Sequence, residues 1–226
     1  MKNILITGGT AGLGRALALQ FDSLGLNVAV VGRNPEKLAA LKRERPSIKT
    51  IQGDVSDKNQ IHRIFAQALE TIGDPDVLIN NASTLGPARL SLLLDTGCED
   101  LGAAIDTNLI APFRLTKLVL PAMLLKGSGT VVNISSDAAI QNYPMWGAYS
   151  FSKSALGHLT RIFEAELEGR GVRFFAVDPG DMRTDLHLQA LPDADVTKLY
   201  DPTDSAERLI KLLQSNEAGA SHRGLR

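Results

Sequence analysis

The chain holds a single cysteine, Cys98, among 226 residues, so no intrachain disulfide can form. This suits a reducing compartment, and a cytoplasmic location is the expectation. No histidine or basic residue lies close to Cys98 in the sequence, so it reads as a buried or incidental thiol and not as a nucleophile. An excess of one charge is also lacking. The formal net charge is −1, and no global field draws nucleic acid or an anionic membrane. No uncharged apolar run reaches the roughly eighteen residues of a membrane span. The most apolar stretch, 118–125, lies between Lys117 and Lys126 and reads as the buried face of a helix. Lys2 precedes an apolar stretch of only about three residues, too short for a signal-peptide core. The histidines His62, His158, His187 and His222 show no metal-ligand spacing. No repeat, low-complexity segment or Gly-, Ser- or Pro-rich linker divides the chain.

What is present is an alternation of strand and helix patterns in a chain with 44% apolar residues. Strands are predicted at 2–7, 27–32, 48–52, 76–80, 129–135 and 172–178. Helices are predicted at 12–24, 35–45, 57–72, 99–126 (as two helices) and 147–169. Such alternation argues for an α/β fold, a doubly wound parallel sheet with helices on both faces. Ligands then bind beyond the carboxyl ends of the strands.

Two motifs carry chemistry. In "ILITGGTAGLGRALA", residues 4–18, an apolar strand runs into Gly8, Gly12 and Gly14 and then into a helical pattern. Glycine allows a sharp turn and close approach of a ligand to the backbone. The helix start beyond it offers free N–H groups and a positive dipole end to a phosphate. The second motif is Tyr149 and Lys153, four residues apart on one helix face, with Ser136 thirteen residues before the tyrosine. A phenol with a pKa of about 10 is protonated at neutral pH. A lysine ammonium beside it lowers that value, so that the phenol can exchange a proton with a carbonyl or alcohol oxygen. The Ser136 hydroxyl can hold the same oxygen. Ser135, next to it, reads as structural.

Taken together these residues resemble the short-chain dehydrogenase/reductase family, over about residues 2–213. "TGGTAGLG" matches the family's cofactor turn, and the resemblance implies cofactor contacts at Gly8, Thr10, Gly12, Leu13 and Gly14. "NNAS", Asn80–Ser83, is similar to the family's Asn-Asn-Ala-Gly segment, with Ser83 adding a small side chain where the family keeps the backbone bare. The resemblance places Asn81 and Ala82 along the adenosine ribose and gives Asp54 and Val55 the adenine. Asn108, Ser136, Tyr149 and Lys153 match the family's catalytic tetrad. It implies a Rossmann-type three-layer sandwich in a single domain, 1–226, with a cofactor half over about 1–107 and a catalytic and substrate half over about 108–226. The implied chemistry is hydride transfer between a nicotinamide and a carbonyl or alcohol. Tyr149 is the proton donor in reduction and the base in oxidation. Lys153 lowers its pKa and binds the nicotinamide ribose, and Asn108 holds a water connecting Lys153 to solvent. "DPGDMRT" resembles the segment beside the nicotinamide and brings in Pro179, Gly180, Met182 and Thr184.

The second strand ends at Gly32 and Arg33, with no acidic side chain until Glu36. An acid here would accept from the ribose 2′-hydroxyl of NAD, whereas an arginine pairs with a 2′-phosphate. NADP(H) is therefore expected in preference to NAD(H). His187, Tyr143, Met145 and Trp146 are candidates for the substrate wall. Two alternatives stand beside the reductase reading: a non-catalytic NADP-sensing protein, and a reductase of carrier-bound 3-oxoacyl groups with Arg89 and Arg183 as its basic contacts. The stretches 107–126 and 147–169 carry more apolar surface than one packed stripe needs. The resemblance implies a homodimer through them, with a tetramer as the alternative. Near the C-terminus, "DPTDSAERLIKLL" predicts a helix capped at Asp201 or Thr203, and only "SHRGLR" remains for a last strand.

Overall fold

The computed structural model of the chain describes residues 2–87, 89–215 and 223–224. Seven strands, β1 (Asn3–Thr7), β2 (Asn27–Gly32), β3 (Lys49–Gln52), β4 (Val77–Asn80), β5 (Gly129–Ile134), β6 (Val172–Asp178) and β7 (Arg223–Gly224), form one sheet. Their order is β3-β2-β1-β4-β5-β6-β7, and every pairing is parallel. The helices are α1 (Gly12–Ser23), α2 (Pro35–Glu44), α3 (Ile61–Ile72), α4 (Cys98–Ile105), α5 (Ala111–Lys126), α6 (Gly147–Glu166), α7 (Asp185–Ala190) and α8 (Pro202–Gln214). This is the expected doubly wound, three-layer α/β fold.

Parallel strands covered on both sides need apolar residues at successive positions, not at every second one. Residues 4–6 show it: Ile4 and Ile6 enter one core with Leu17, Phe21 and Leu209, from α1 and α8. Leu5 enters the other, with Ile64 of α3 and Leu115 and Val119 of α5. Phe174 of β6 is fully buried and stacks on Phe163 of α6, with centroids 5.5 Å apart and planes at 7°. Burying one such side chain stabilises the fold by about 1.5–3 kcal/mol.

Several boundaries differ from the pattern-based expectation. The helix predicted from 57 begins at Ile61. Before it, Asp54 Oδ1 accepts from the Ser56 N–H and Asp57 Oδ1 from the Asn59 N–H, both at 2.9 Å. These short polar side chains compete for the backbone donors that a helix would use. The helix predicted to reach 169 stops at Glu166, shortly before Gly169 and Gly171 at φ 74° and 79°. Residues 98–126 are one rod, α4 and α5 joined by a π-helical turn, Asp106–Ile110. The rod is long and apolar enough to cross a membrane by length and composition, which counting uncharged runs did not reveal; Leu115, Val119 and Met123 lie buried in the core beneath the sheet. Helix α7 has six residues, too few for a periodic signal. Asp201 caps α8, accepting from the Thr203 N–H at 2.9 Å. Of the expected last strand, Arg223 and Gly224 pair with β6, whereas Ser221, His222, Leu225 and Arg226 lie outside the described residues.

Candidate active site

β1 and β4 are neighbours, and the chain leaves them for opposite faces of the sheet. Beyond their carboxyl ends lies a cleft of about 780 Å³. Its floor is the glycine turn. Gly8 has φ 65°, and a Cβ there would sit 2.8 Å from the Ala82 Cα. A Cβ on Gly14 would sit 2.4 Å from Asn81 Nδ2 and 2.5 Å from the Gly8 oxygen. Glycine at both positions lets the turn lie against the end of β4. Asn81 clamps it there: Nδ2 donates to the Thr7 and Gly8 carbonyls, each at 3.0 Å. The Asn81 and Ala82 N–H groups donate to Thr7 Oγ1 at 3.0 and 3.1 Å. Ala11, at the α1 N-cap, provides no side-chain acceptor, so the first-turn N–H groups remain available to an anion.

At the far end, Tyr149 and Lys153 project from one face of α6 and are both buried. Burial pushes the Tyr149 phenol up to about 12, against the hydroxyls of Ser136 and Ser83, which face it and act the other way, while the carboxylates of Asp178 and Asp137 add to the rise. Burial pushes Lys153 down to about 7. The phenol therefore lies above its ordinary value, opposite to the direction expected from a neighbouring lysine, because burial is the largest influence on it. Desolvation disfavours the charged form of both groups, and the lysine's Nζ stands 5.5 Å from the tyrosine ring centroid. That Nζ donates to the Ile134 carbonyl at 2.7 Å. Ser136, just after β5, accepts from the Ala138 N–H at 3.2 Å. Trp146 packs edge-on against Tyr149, 5.7 Å between centroids. Tyr143 donates to Asp137 Oδ2 at 2.9 Å. Met145 between them sits in the left-handed region at φ 74°.

Sixteen of the expected site residues line the cleft: Gly8, Thr10, Gly12, Leu13, Arg33, Asp54, Val55, Asn81, Ala82, Ser136, Tyr149, Lys153, Pro179, Gly180, Met182 and Thr184. His187 lines it as well. Gly14 and Asn108 do not. Gly14 is packed beneath the turn, and Asn108 is fully buried in the π-helical turn. The Asn108 side chain makes four hydrogen bonds: Oδ1 accepts from Ser83 Oγ at 3.1 Å and the Thr84 N–H at 2.9 Å, while Nδ2 donates to the Thr84 carbonyl at 2.8 Å and Ser152 Oγ at 2.9 Å. Its backbone carbonyl lacks the usual α-helical donor, because the residue four places on is Pro112. Ser152 in turn donates to the Tyr149 carbonyl at 2.7 Å. Ser152 escaped sequence reading because nothing in "YSFSK" separates a buried serine from an exposed one.

Arg33 is largely exposed, with Nη1 3.8 Å from Asp54 Oδ2. Asn34 and Lys37 line the cleft beside it and were not anticipated. Asn34 caps α2 by accepting from the Lys37 N–H at 2.9 Å, and the signal for both was a cap-like Asn-Pro after the second strand. Lys37 Nζ lies 3.7 Å from Asp185 Oδ2, linking α2 to α7. Arg183 is paired with Asp201 at 2.8 Å. Cys98 is exposed. Among the described residues no cluster of His, Cys, Asp and Glu is arranged to hold a metal.

Doubly wound sheets that take a dinucleotide at the switch point form one broad class, and this sheet, turn and cleft put the chain in it. The model of the short chain dehydrogenase family matches residues 2–195, and the chain belongs to that family. The family consists of oxidoreductases that act on CH–OH or C=O groups of small molecules with a nicotinamide cofactor. A short chain dehydrogenase of Pseudocercospora fijiensis is 36% identical over 192 residues, covering 82% of this chain and 61% of that protein. A 3-oxoacyl-(acyl-carrier-protein) reductase of Thermotoga maritima is 33% identical over 196 residues, 85% of this chain and 78% of the relative. A solved structure of a single-residue variant of actinorhodin polyketide ketoreductase with NADPH is 27% identical, with TM-score 0.89 over 99% of this chain and 95% of that one.

The buried lysine makes stability depend on pH. Folded Lys153 loses its proton near pH 7, against an ordinary 10.5. Between those values the unfolded chain holds more protons, so stability rises with pH across that window. In Lys153→Met that rise is absent. Urea midpoints measured from pH 7 to 10 are expected to slope upward for the native chain and to be flatter for the variant.

Proposed function

We propose that this protein is an NADP(H)-dependent oxidoreductase acting on a small carbonyl or alcohol substrate. One observation supports this above the others: a buried phenol, flanked by the Ser136 hydroxyl and by Lys153, faces the same cleft that runs to the glycine turn and Arg33. The glycine turn fits a dinucleotide, since the α1 N-terminus beside it has no side-chain cap and opens on the cleft. The N–H groups of Gly12 and Leu13 would hold its pyrophosphate, Asp54 and Val55 its adenine, and Arg33 with Asn34 and Lys37 a 2′-phosphate. Asn81 and Ala82 would border the adenosine ribose, with Pro179, Gly180, Met182 and Thr184 at the nicotinamide. When bound, the nicotinamide supplies or accepts the hydride.

The chain's own residues handle the substrate oxygen and the proton. Ser136 donates a hydrogen bond to the oxygen. Tyr149 gives it a proton in reduction and takes one back in oxidation. A phenol raised to about 12 is fully protonated at neutral pH, the form that reduction requires at the start. Lys153, close to half-charged at pH 7, would bind the nicotinamide ribose and bring positive charge near the phenolate. The carbonyl of Asn108 would hold a water toward Lys153. Trp146, Tyr143, Leu186 and Leu191 give the cleft wall an apolar character suited to a substrate with an apolar flank. A free substrate is favoured over a carrier-bound one, because neither expected basic contact, Arg89 or Arg183, lines the cleft, and Arg183 is engaged by Asp201. A sensor would have no use for Tyr149. We also propose a homodimer, in which Phe113 of α5 and Phe151 and Ile162 of α6, all exposed, are covered by the same helices of a second copy.

Tyr149→Phe keeps the ring and removes the proton donor; turnover of ketones or aldehydes with NADPH should fall by at least roughly 100-fold, and near-normal turnover would refute the assignment. Arg33→Asp sets a carboxylate against the 2′-phosphate. It should weaken NADPH by about tenfold or more, the worth of one charge-assisted contact, and NADH much less; equal losses measured by titration of both cofactors would count against Arg33 as the selector. Light scattering at micromolar concentration should give the dimer mass, and a monomer mass would overturn the assembly.

A further inference from the structure

The substrate end of the cleft sets a carboxylate among aromatic rings. Asp137 follows Ser136 directly, and Ser136 Oγ donates to Asp137 Oδ1 at 3.2 Å. The hydroxyl assigned to the substrate oxygen therefore lies against a carboxylate. Tyr143 donates to Asp137 Oδ2 at 2.9 Å. Trp146 is near both Tyr143 and Tyr149, with ring centroids 6.4 and 5.7 Å away. Asp137, Tyr143, Trp146 and Tyr149 all line the cleft. The basic groups that line it are engaged or lie at its other end. Lys153 is buried and donates to the Ile134 carbonyl, and His187 Nδ1 lies 3.9 Å from Asp181 Oδ1. Arg33 and Lys37 belong to the adenosine end, where they face Asp54 and Asp185. Asp178 also lines the substrate end, its Oδ1 accepting from the Gly180 N–H at 3.0 Å. The charge of the cleft is thus divided, cations toward the 2′-phosphate and carboxylates toward the substrate.

A carboxylate accepts strongly from an ammonium N–H, and tryptophan and tyrosine rings attract a cation. An anionic flank would meet like charge here. We propose that the substrate is a ketone or alcohol that carries a protonated amine, with Asp137 as the acceptor of its ammonium N–H and Trp146 and Tyr143 as the rings beside it. The proposal rests on the reading of this cleft as the site of a carbonyl or alcohol, and it names the class of that substrate. The exchange of partners is consistent. A serine hydroxyl has one proton, so when Ser136 turns it to the substrate oxygen, Asp137 Oδ1 gives up that donor and takes an ammonium N–H in its place. Adjacent residues hold the two groups, so the amine lies only a few bonds from the reacting carbon, as in an amino ketone or amino alcohol. Leu186 and Leu191 remain for the apolar part of the molecule.

The test is a fluorescence titration, since Trp146 is the chain's single tryptophan and reports on its own surroundings. The probes are 2-phenylethylamine, charged at neutral pH, its neutral counterpart 2-phenylethanol, and the anion 3-phenylpropanoate. The amine should bind the native protein about tenfold or more tighter than the alcohol, the worth of one charge-assisted contact, and the anion should bind most weakly. Equal binding of amine and alcohol overturns the proposal, and this comparison needs no variant. In Asp137→Asn the preference for the amine should disappear, and a preference kept in full also overturns it. These titrations need no turnover, so their failure is distinct from failure of the oxidoreductase reading, which the kinetics of Tyr149→Phe decides. With NADPH, an amino ketone should show a KM about tenfold or more below that of the matched hydroxy ketone. That gap should close in Asp137→Asn, and equal KM values in the native protein count against the proposal.

Discussion

The clamp between the ends of β1 and β4 is the contact on which the rest of the site depends. At that seam the chain turns to opposite faces of the sheet, and the side chains of Asn81 and Thr7 bridge the gap to backbone groups. Asn81 directs its amide protons to the Thr7 and Gly8 carbonyls, and Thr7 Oγ1 collects two backbone N–H groups from β4's end. Glycine at 8 and 14 lets these groups approach. The turn is thereby held open toward the cleft, and α1 begins with its N–H groups directed at whatever lies there. Asn81, which reads in sequence as a ligand contact, has its side chain committed to this structural task.

Burial governs the other end of the cleft. Tyr149 and Lys153 are held where water cannot stabilise their charged forms, and for the phenol desolvation outweighs the serine hydroxyls. A well-packed surround offsets this: α6 buries Leu156 and Thr160 beside the pair, and Asn108, Ser152 and Thr84 tie the π-helical turn to the loop after β4. The π-helical turn itself follows from Pro112, whose missing N–H disturbs the α-helical ladder at the place where Asn108 must turn inward.

Much of this was legible along the chain because it is local. Apolar runs of four to seven residues separated by helical periods specify parallel strands and their crossovers. A glycine turn read next to its strand, and Tyr149 with Lys153 at helical spacing, need no knowledge of distant residues. Boundaries were less legible where short polar side chains capture nearby N–H groups, as Asp54 and Asp57 do before α3. α7 escaped notice because six residues held by Thr184 are too few to show a period.

The sequence by itself determined the α/β class, the family and most of the expected residues that line the cleft, since these depend on patterns within one turn, one strand or one short motif. Only the tertiary structure decided the electrostatics and the partners. Whether Lys153 lowers or fails to lower the phenol depends on burial produced by helices far apart in the chain. Asn108 meets Ser83 across 25 positions and Ser152 across 44, separations at which no local pattern carries information. Arg183 looked like an open cation until Asp201, 18 residues on, closed against it. Desolvation and long-range hydrogen bonds are properties of the packed molecule, and they exist only once the chain has brought those residues together.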